Sequence, residues 1–155
     1  MYKTLTTTHN ATPPFYQLLC LGPDKKEYHQ LRETLEAGLP SCLVRPVAHA
    51  EALLSYLQHP NTSKPALILI DSEMLGGYSL LSKLKAHAGL QTIPVIIVLS
   101  GRKQRSQVMK AYEAGANAVI PLPASPTALY DTSFFLKKFW LQTATLPGEA
   151  TEAGD

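Results

Sequence analysis

Short apolar runs alternate with amphipathic stretches along most of the chain. The runs that predict strands are residues 15–21, 41–44, 66–70, 95–99 and 118–120. Runs that are apolar on both faces are typical of parallel strands covered by helices on both sides. After each run, apolar residues recur at helical spacing, as in Tyr28, Leu31 and Leu35. The pattern predicts an α/β domain of the flavodoxin-like, doubly wound type, with parallel strands in the order 2-1-3-4-5.

The two ends of the chain lack this alternation. Residues 1–14 are rich in Thr and finish on two prolines, which predicts a flexible N-terminal arm. Residues 143–155 are small and acidic, which predicts a flexible C-terminal tail. The folded domain is therefore expected to span residues 15–142, with no output domain after it.

Composition narrows the class of protein. The chain has 155 residues, of which 45% are hydrophobic and 17% charged, as in one globular domain. Its formal net charge of +2 gives no electrostatic reason to expect nucleic acid or an anionic membrane as partner. No apolar run approaches the ~20 residues of a membrane helix, and no signal-peptide pattern is visible. We expect a soluble cytoplasmic protein.

Asp71 is the first candidate functional residue. It follows the apolar residues 66–70, so it would stand at the carboxyl end of a central strand. Ligands of doubly wound sheets bind at that edge. Burying a carboxylate there is costly unless the carboxylate is paired or used. The alternative is an Asp that only caps the following turn.

Several segments around Asp71 resemble the receiver domain of two-component response regulators. They are PALILID at 65–71, IPVIIVLS at 93–100, AYEAGANAV at 111–119 and Pro123. The ending FWL at 139–141 is similar to single-domain regulators that partner bacterial phytochromes. The resemblance implies that a histidine kinase transfers a phosphoryl group to Asp71. It also implies a Mg²⁺ ion, held by the acceptor, by an acidic pair after the first strand and by the carbonyl of Glu73.

The metal-binding positions depart from this family pattern. Gly22 and Pro23 stand where the acidic pair is expected, and neither carries a carboxylate. Asp24 comes one position late, where capping of the first helix is its expected role. Mg²⁺ prefers octahedral oxygen ligands, so we expect it to bind weakly if at all. The weak candidate ligands are Asp71, Asp24 and Glu73.

The positions that bind and report the phosphoryl group also differ. Leu99 stands at the Ser/Thr position with Ser100 beside it, Leu122 replaces the phosphate-binding Lys, and Val119 replaces the aromatic switch. Losing the Lys alone removes a contact worth about 1.5–3 kcal/mol. We therefore hypothesise a pseudo-receiver with weak or no phosphorylation. The alternatives are a working Mg²⁺-dependent phospho-acceptor and a flavodoxin-like module that binds a small ligand.

The last predicted helix carries unusually many aromatic residues. Phe135, Phe139 and Trp140 form a stripe wider than one helix face can bury. We expect part of it to form an interface, as in a homodimer; the alternative is that the C-terminal extension covers it. The expected partners are a sensor histidine kinase or another signalling protein. No set of nucleophile, base and orienting group is visible, so we do not expect an enzyme.

Overall fold

The computed structural model describes residues 15–74, 78–102 and 104–149 and shows strands and helices in alternation. The elements are β1 (Phe15–Leu21), α1 (Lys26–Glu36), β2 (Ser41–Val47), α2 (Ala50–Gln58), β3 (Leu67–Asp71), α3 (Ser79–Ala86), β4 (Val95–Leu99), α4 (Arg105–Glu113), β5 (Ala118–Pro121) and α5 (Pro126–Leu136). The strands form one parallel sheet in the order β2-β1-β3-β4-β5. This confirms the predicted flavodoxin-like fold.

The hydrophobic core lies on both faces of the sheet. All residues of β3 and β4 are buried. Their side chains alternate between the two faces, as strand geometry requires. Leu69 faces a cluster with α1 and α5, whereas Ile68 and Ile70 face a cluster with α2, α3 and α4. β3 is therefore packed on both faces, and Asp71 stands at its carboxyl end.

The outer strands of the sheet are β2 and β5. Pro46 lies within β2, and Pro121 ends β5. Proline has no N–H to donate to a further strand, which is why it is tolerated at sheet edges. Arg45 beside Pro46 is exposed and adds a charge to the same edge. Within the described ranges, no helix is both long and apolar enough to cross a membrane.

The start of α1 differs from the prediction. Its N-cap is Lys25, whose side chain makes no capping hydrogen bond. Asp24 does not cap the helix, because its carboxylate pairs with the imidazole of His29 instead. The backbone turns between Pro23 and Lys25, where the N–H of Lys25 donates to the Pro23 carbonyl at 2.9 Å. The helix therefore begins one residue later than a cap at Asp24 requires.

The C-terminal segment is packed against the domain as far as the structure describes it. After α5 the chain continues as a π-helix, Lys137–Thr143, and a 3₁₀ turn, Pro147–Glu149. Leu146 is only 6% exposed and belongs to the core beside α1 and α5. Glu149 accepts hydrogen bonds from the Tyr16 hydroxyl and the Leu146 N–H. Within the predicted C-terminal tail, the segment up to Glu149 thus contributes Leu146 to the core. The predicted arm at 1–14 and residues 150–155 lie outside the described residues.

Candidate functional site

Asp71 lies at the carboxyl end of β3 and is only 1% exposed. Its Oδ1 accepts a hydrogen bond from the N–H of Glu73 at 2.8 Å and one from the Ser100 hydroxyl at 3.3 Å. Its Oδ2 accepts a hydrogen bond from the hydroxyl of Tyr28. Across the described part of the chain, no Lys or Arg forms an ion pair with Asp71. The carboxylate is therefore satisfied by neutral donors rather than by a cation.

Tyr28 is the site residue that the sequence analysis missed. Its position with Leu31 and Leu35 on the inner face of α1 marked it as a core residue, and it is indeed 1% exposed. Its hydroxyl nevertheless reaches the carboxylate of Asp71, 43 residues further along the chain. Burial first, and then the hydrogen bond to Asp71, raise the pKa of Tyr28 far above its usual 10.0. The phenol therefore stays protonated and acts as a donor at neutral pH.

Gly22 makes room for the ring of Tyr28. A Cβ at residue 22 would lie 3.0–3.2 Å from the ring atoms Cδ1, Cε1 and Cγ. Contacts this short require the neighbour to give way, and the Tyr28 ring is enclosed by the core. A side chain at residue 22 would therefore require the Tyr28 ring to move by a few tenths of an ångström. A glycine at the first acidic position, followed six residues later by Tyr on the buried helix face, was the available sequence signal.

The other candidate metal ligands differ in their position relative to Asp71. Pro23 is half-buried, and Asp24 is exposed and paired with His29. Glu73, whose main-chain carbonyl is the predicted ligand, lies beside Asp71 and donates its N–H to Oδ1, while its side chain is exposed. Across the described residues, no group of three or more His, Cys, Asp or Glu side chains could hold a metal ion. These residues fit Mg²⁺ at best weakly, since the ion needs several oxygen ligands.

The residues after β4 and β5 lie at the same edge of the sheet as Asp71, because Asp71 is in register with Val98. Leu99 is buried, whereas Ser100 is half-buried and is the residue whose hydroxyl reaches Asp71. Leu122 is half-buried and packs on the α1 and α5 side of the core. Leu99 and Leu122 both line a cavity of about 660 Å³ between α1 and α5. Leu122, at the position where the family pattern has a phosphate-binding Lys, therefore offers an apolar side chain in place of an ammonium group.

The aromatic stripe divides between surface and core. Phe135 and Phe139 are 64% and 51% exposed. Trp140 is half-buried, packs against the core, and makes an edge-to-face contact with Phe139 at a ring distance of 4.9 Å. The exposed part of the predicted interface is therefore the pair Phe135 and Phe139.

Comparison with known proteins places this geometry in a family. The model of the response regulator receiver domain matches residues 24–133. Response regulator Rcp1 of Synechocystis sp. is 28% identical over 102 residues, 62% of this chain and 69% of Rcp1. Response regulator Rre1 of the same organism is 32% identical over 104 residues, 64% of this chain and 43% of Rre1.

Solved structures share the fold. The phosphorylated cyanobacterial phytochrome response regulator RcpA has a TM-score of 0.77 at 24% identity, over 86% of this chain and 99% of its own. The Mn²⁺-bound form of Rcp1 has a TM-score of 0.75 at 23% identity, over 85% of this chain and 99% of its own. The resemblance seen in the sequence is thereby confirmed: the chain belongs to the response regulator receiver domain family.

Proposed function

We propose that this protein is a pseudo-receiver, which keeps the fold and the acceptor aspartate of its family but is phosphorylated weakly or not at all. The observation that supports this most directly is the buried hydrogen bond from the Tyr28 hydroxyl to Asp71. A phosphoryl acceptor must present a free carboxylate oxygen to the incoming phosphorus. Here Tyr28 occupies Oδ2, while Glu73 and Ser100 donate to Oδ1.

The electrostatics of the site support the same proposal. Phosphoryl transfer brings a negatively charged group to a carboxylate, so its catalysis depends on cations that neutralise the developing charge. Leu122 offers no charge, and Gly22 and Pro23 offer no carboxylate to a metal ion. Rcp1 has a Mn²⁺-bound form. By analogy, a divalent cation that approaches Asp71 here finds few protein oxygens to hold it. Without differential contacts to a phosphorylated state, no conformational switch is driven.

Labelling with acetyl phosphate and Mg²⁺ tests the pseudo-receiver directly. We expect the full chain to be labelled no more than its Asp71→Asn variant, since the acceptor is blocked and no cation compensates the charge. Asp131→Asn, at an exposed carboxylate on α5, is the matched control. Stoichiometric labelling that disappears only in Asp71→Asn would support the alternative, a working phospho-acceptor.

We further propose that signalling proceeds through protein–protein contact, with a sensor histidine kinase or another signalling protein as partner and with a second copy of this chain across the aromatic surface. Exposed large aromatic residues are enriched where proteins associate. Phe135 and Phe139 lie one helical turn apart and share a surface. Their exposure supports an interface on the C-terminal part of α5 and the π-helix.

Light scattering after size exclusion tests the dimer. We expect the parent to elute at twice its mass of 16.9 kDa, and the double variant Phe135→Ser/Phe139→Ser to elute as a monomer, because the variant loses the apolar contact. Phe15→Ser, which removes a comparably exposed aromatic ring from β1, is expected to remain dimeric. A monomeric parent, or a double variant that still dimerises, would refute this interface.

A further inference from the structure

The exposed face of α5 and the π-helix carries two aromatic rings that lie between opposite charges. Phe134 and Phe135 are 49% and 64% exposed, and their rings meet edge to face at a centroid distance of 5.3 Å. Asp131 precedes them by three and four residues, and Lys138 follows them by four and three. Both charged side chains are exposed. Residues at these spacings are neighbours on a helix surface, so an acid and a base flank the rings.

The two charges are too far apart to pair within one chain. Asp131 and Lys138 are seven residues apart, which is about two helical turns and about 10 Å along the axis. Across the described ranges, neither forms an ion pair. Lys138 lies in the π-helix but lines the same groove as Tyr130 and Phe134, so it stays on the side where the rings are exposed. The face therefore presents one charge of each sign at similar distances from its apolar centre.

A second copy of this chain matches this pattern in one orientation. In a two-fold dimer, contacts are reciprocal: if one residue touches another across the interface, the same contact occurs twice. When the two helices run antiparallel about an axis between Phe134 and Phe135, Asp131 faces the partner's Lys138, and Lys138 faces the partner's Asp131. When they run parallel, each charge faces its own copy, and like charges repel. The charges thus favour the antiparallel arrangement.

We infer that the dimer proposed above is an antiparallel, two-fold pairing of α5 and the π-helix, with Phe134 and Phe135 at its centre and Asp131 beside the partner's Lys138 at both ends. The inference rests on the proposed dimer and adds its orientation and the residues that set it. An aromatic centre inside a polar rim is the usual organisation of an interface. Exposed ion pairs add little affinity, so the charges act mainly by excluding misaligned pairings.

Charge reversal tests the orientation, with the dimer dissociation constant measured by sedimentation equilibrium. Asp131→Lys places two cations together, and Lys138→Glu places two anions together. Symmetry doubles each effect, so we expect each single variant to raise the dissociation constant about tenfold. An equimolar mixture of the two single variants should regain the affinity of the parent, because every acid then meets a base in the heterodimer, which native mass spectrometry identifies. The double variant Asp131→Lys/Lys138→Glu should regain it as a homodimer.

Glu33→Lys on α1 and Lys83→Glu on α3 are the matched controls, since they reverse exposed charges away from this face. We expect both to leave the dissociation constant unchanged, alone and mixed. Circular dichroism verifies that each variant folds; if one single variant does not, the comparison of the other with the double variant decides.

The possible failures are distinguishable. Single reversals without effect, or a mixture that associates no better than its components, would overturn the antiparallel pairing. If Phe135→Ser/Phe139→Ser is monomeric in that case, the aromatic interface stands and only its orientation is wrong. A monomeric parent would refute both the dimer and its orientation.

Discussion

Replacing Tyr28 with Phe is expected to lower the free energy of unfolding by about 1–3 kcal/mol at neutral pH, the usual cost of leaving a buried polar group without a partner. The substitution keeps the ring, so the packing of α1 against the sheet is preserved. It removes the hydrogen bond that the Tyr28 hydroxyl donates to Oδ2 of Asp71, a carboxylate that is 1% exposed. Urea unfolding of parent and variant measures the difference.

The free energy of unfolding at alkaline pH provides a second comparison between the parent and Tyr28→Phe. The folded protein holds the Tyr28 proton more tightly than the unfolded chain, because burial and the bond to Asp71 raise its pKa above 10.0. The stabilisation is thus complete below pH 10.0 and is lost as pH rises above it. The free energy of unfolding of the parent should fall there by up to about 1.4 kcal/mol per pH unit more steeply than that of Tyr28→Phe.

A matched control separates the buried hydroxyl from a general effect of losing a phenol. Tyr130 is 64% exposed, and Tyr130→Phe is expected to change stability by no more than about 0.5 kcal/mol. If Tyr28→Phe behaves like Tyr130→Phe at both neutral and alkaline pH, the hydrogen bond to Asp71 does not stabilise the fold.

The second large effect is expected when an acidic residue is placed at position 22, where the family pattern has one. Gly22→Asp alone should destabilise the protein, because its Cβ meets the Tyr28 ring at 3.0 Å. Gly22→Asp combined with Tyr28→Leu should be less destabilising than the sum of the two single changes, since the smaller side chain leaves room. Residues in contact couple by about 0.5–3 kcal/mol. Additive single effects would show that the ring and residue 22 do not compete for space.

Restoring both acidic residues, at positions 22 and 23, is also expected to create a metal-binding site beside Asp71. The triple variant Gly22→Asp/Pro23→Asp/Tyr28→Leu would surround Asp71 with carboxylates, and divalent cations bind more tightly as ligand charge increases. Electron paramagnetic resonance of free Mn²⁺ should report binding at least about tenfold tighter than in the parent. Adding Asp71→Asn to the triple variant serves as control and should remove most of the gain. Equal Mn²⁺ affinity in parent and triple variant would show that missing carboxylates are not what weakens the site.

The fold was predictable because its strands are unusually apolar. Runs such as 66–70 and 95–99 have one plausible place, the centre of a sheet covered on both sides. The C-terminal segment was less predictable, because the aromatic spacing suggested one helix as far as Trp140. The chain instead passes from α5 into a π-helix after Leu136, and π-helices are rare enough that 3.6-residue periodicity does not anticipate them.

The candidate site was only partly predictable. Asp71 followed from its place after an apolar run, and the missing charges at Gly22 and Leu122 were visible once the family pattern was applied. The role of Tyr28 was missed, because its helical spacing already explained it as a core residue. Which residue across the sheet its hydroxyl would reach depends on tertiary packing between α1 and the end of β3.

The prolines of the two outer strands limit how copies of this protein can assemble. Pro46 on one margin and Pro121 on the other each withhold an amide that a neighbouring backbone would need. Two molecules therefore cannot readily pair their sheets edge to edge through backbone hydrogen bonds. The interface proposed on the exposed aromatic residues of α5 and the π-helix uses side chains instead of a sheet edge, and side chains can be substituted there without disturbing the sheet.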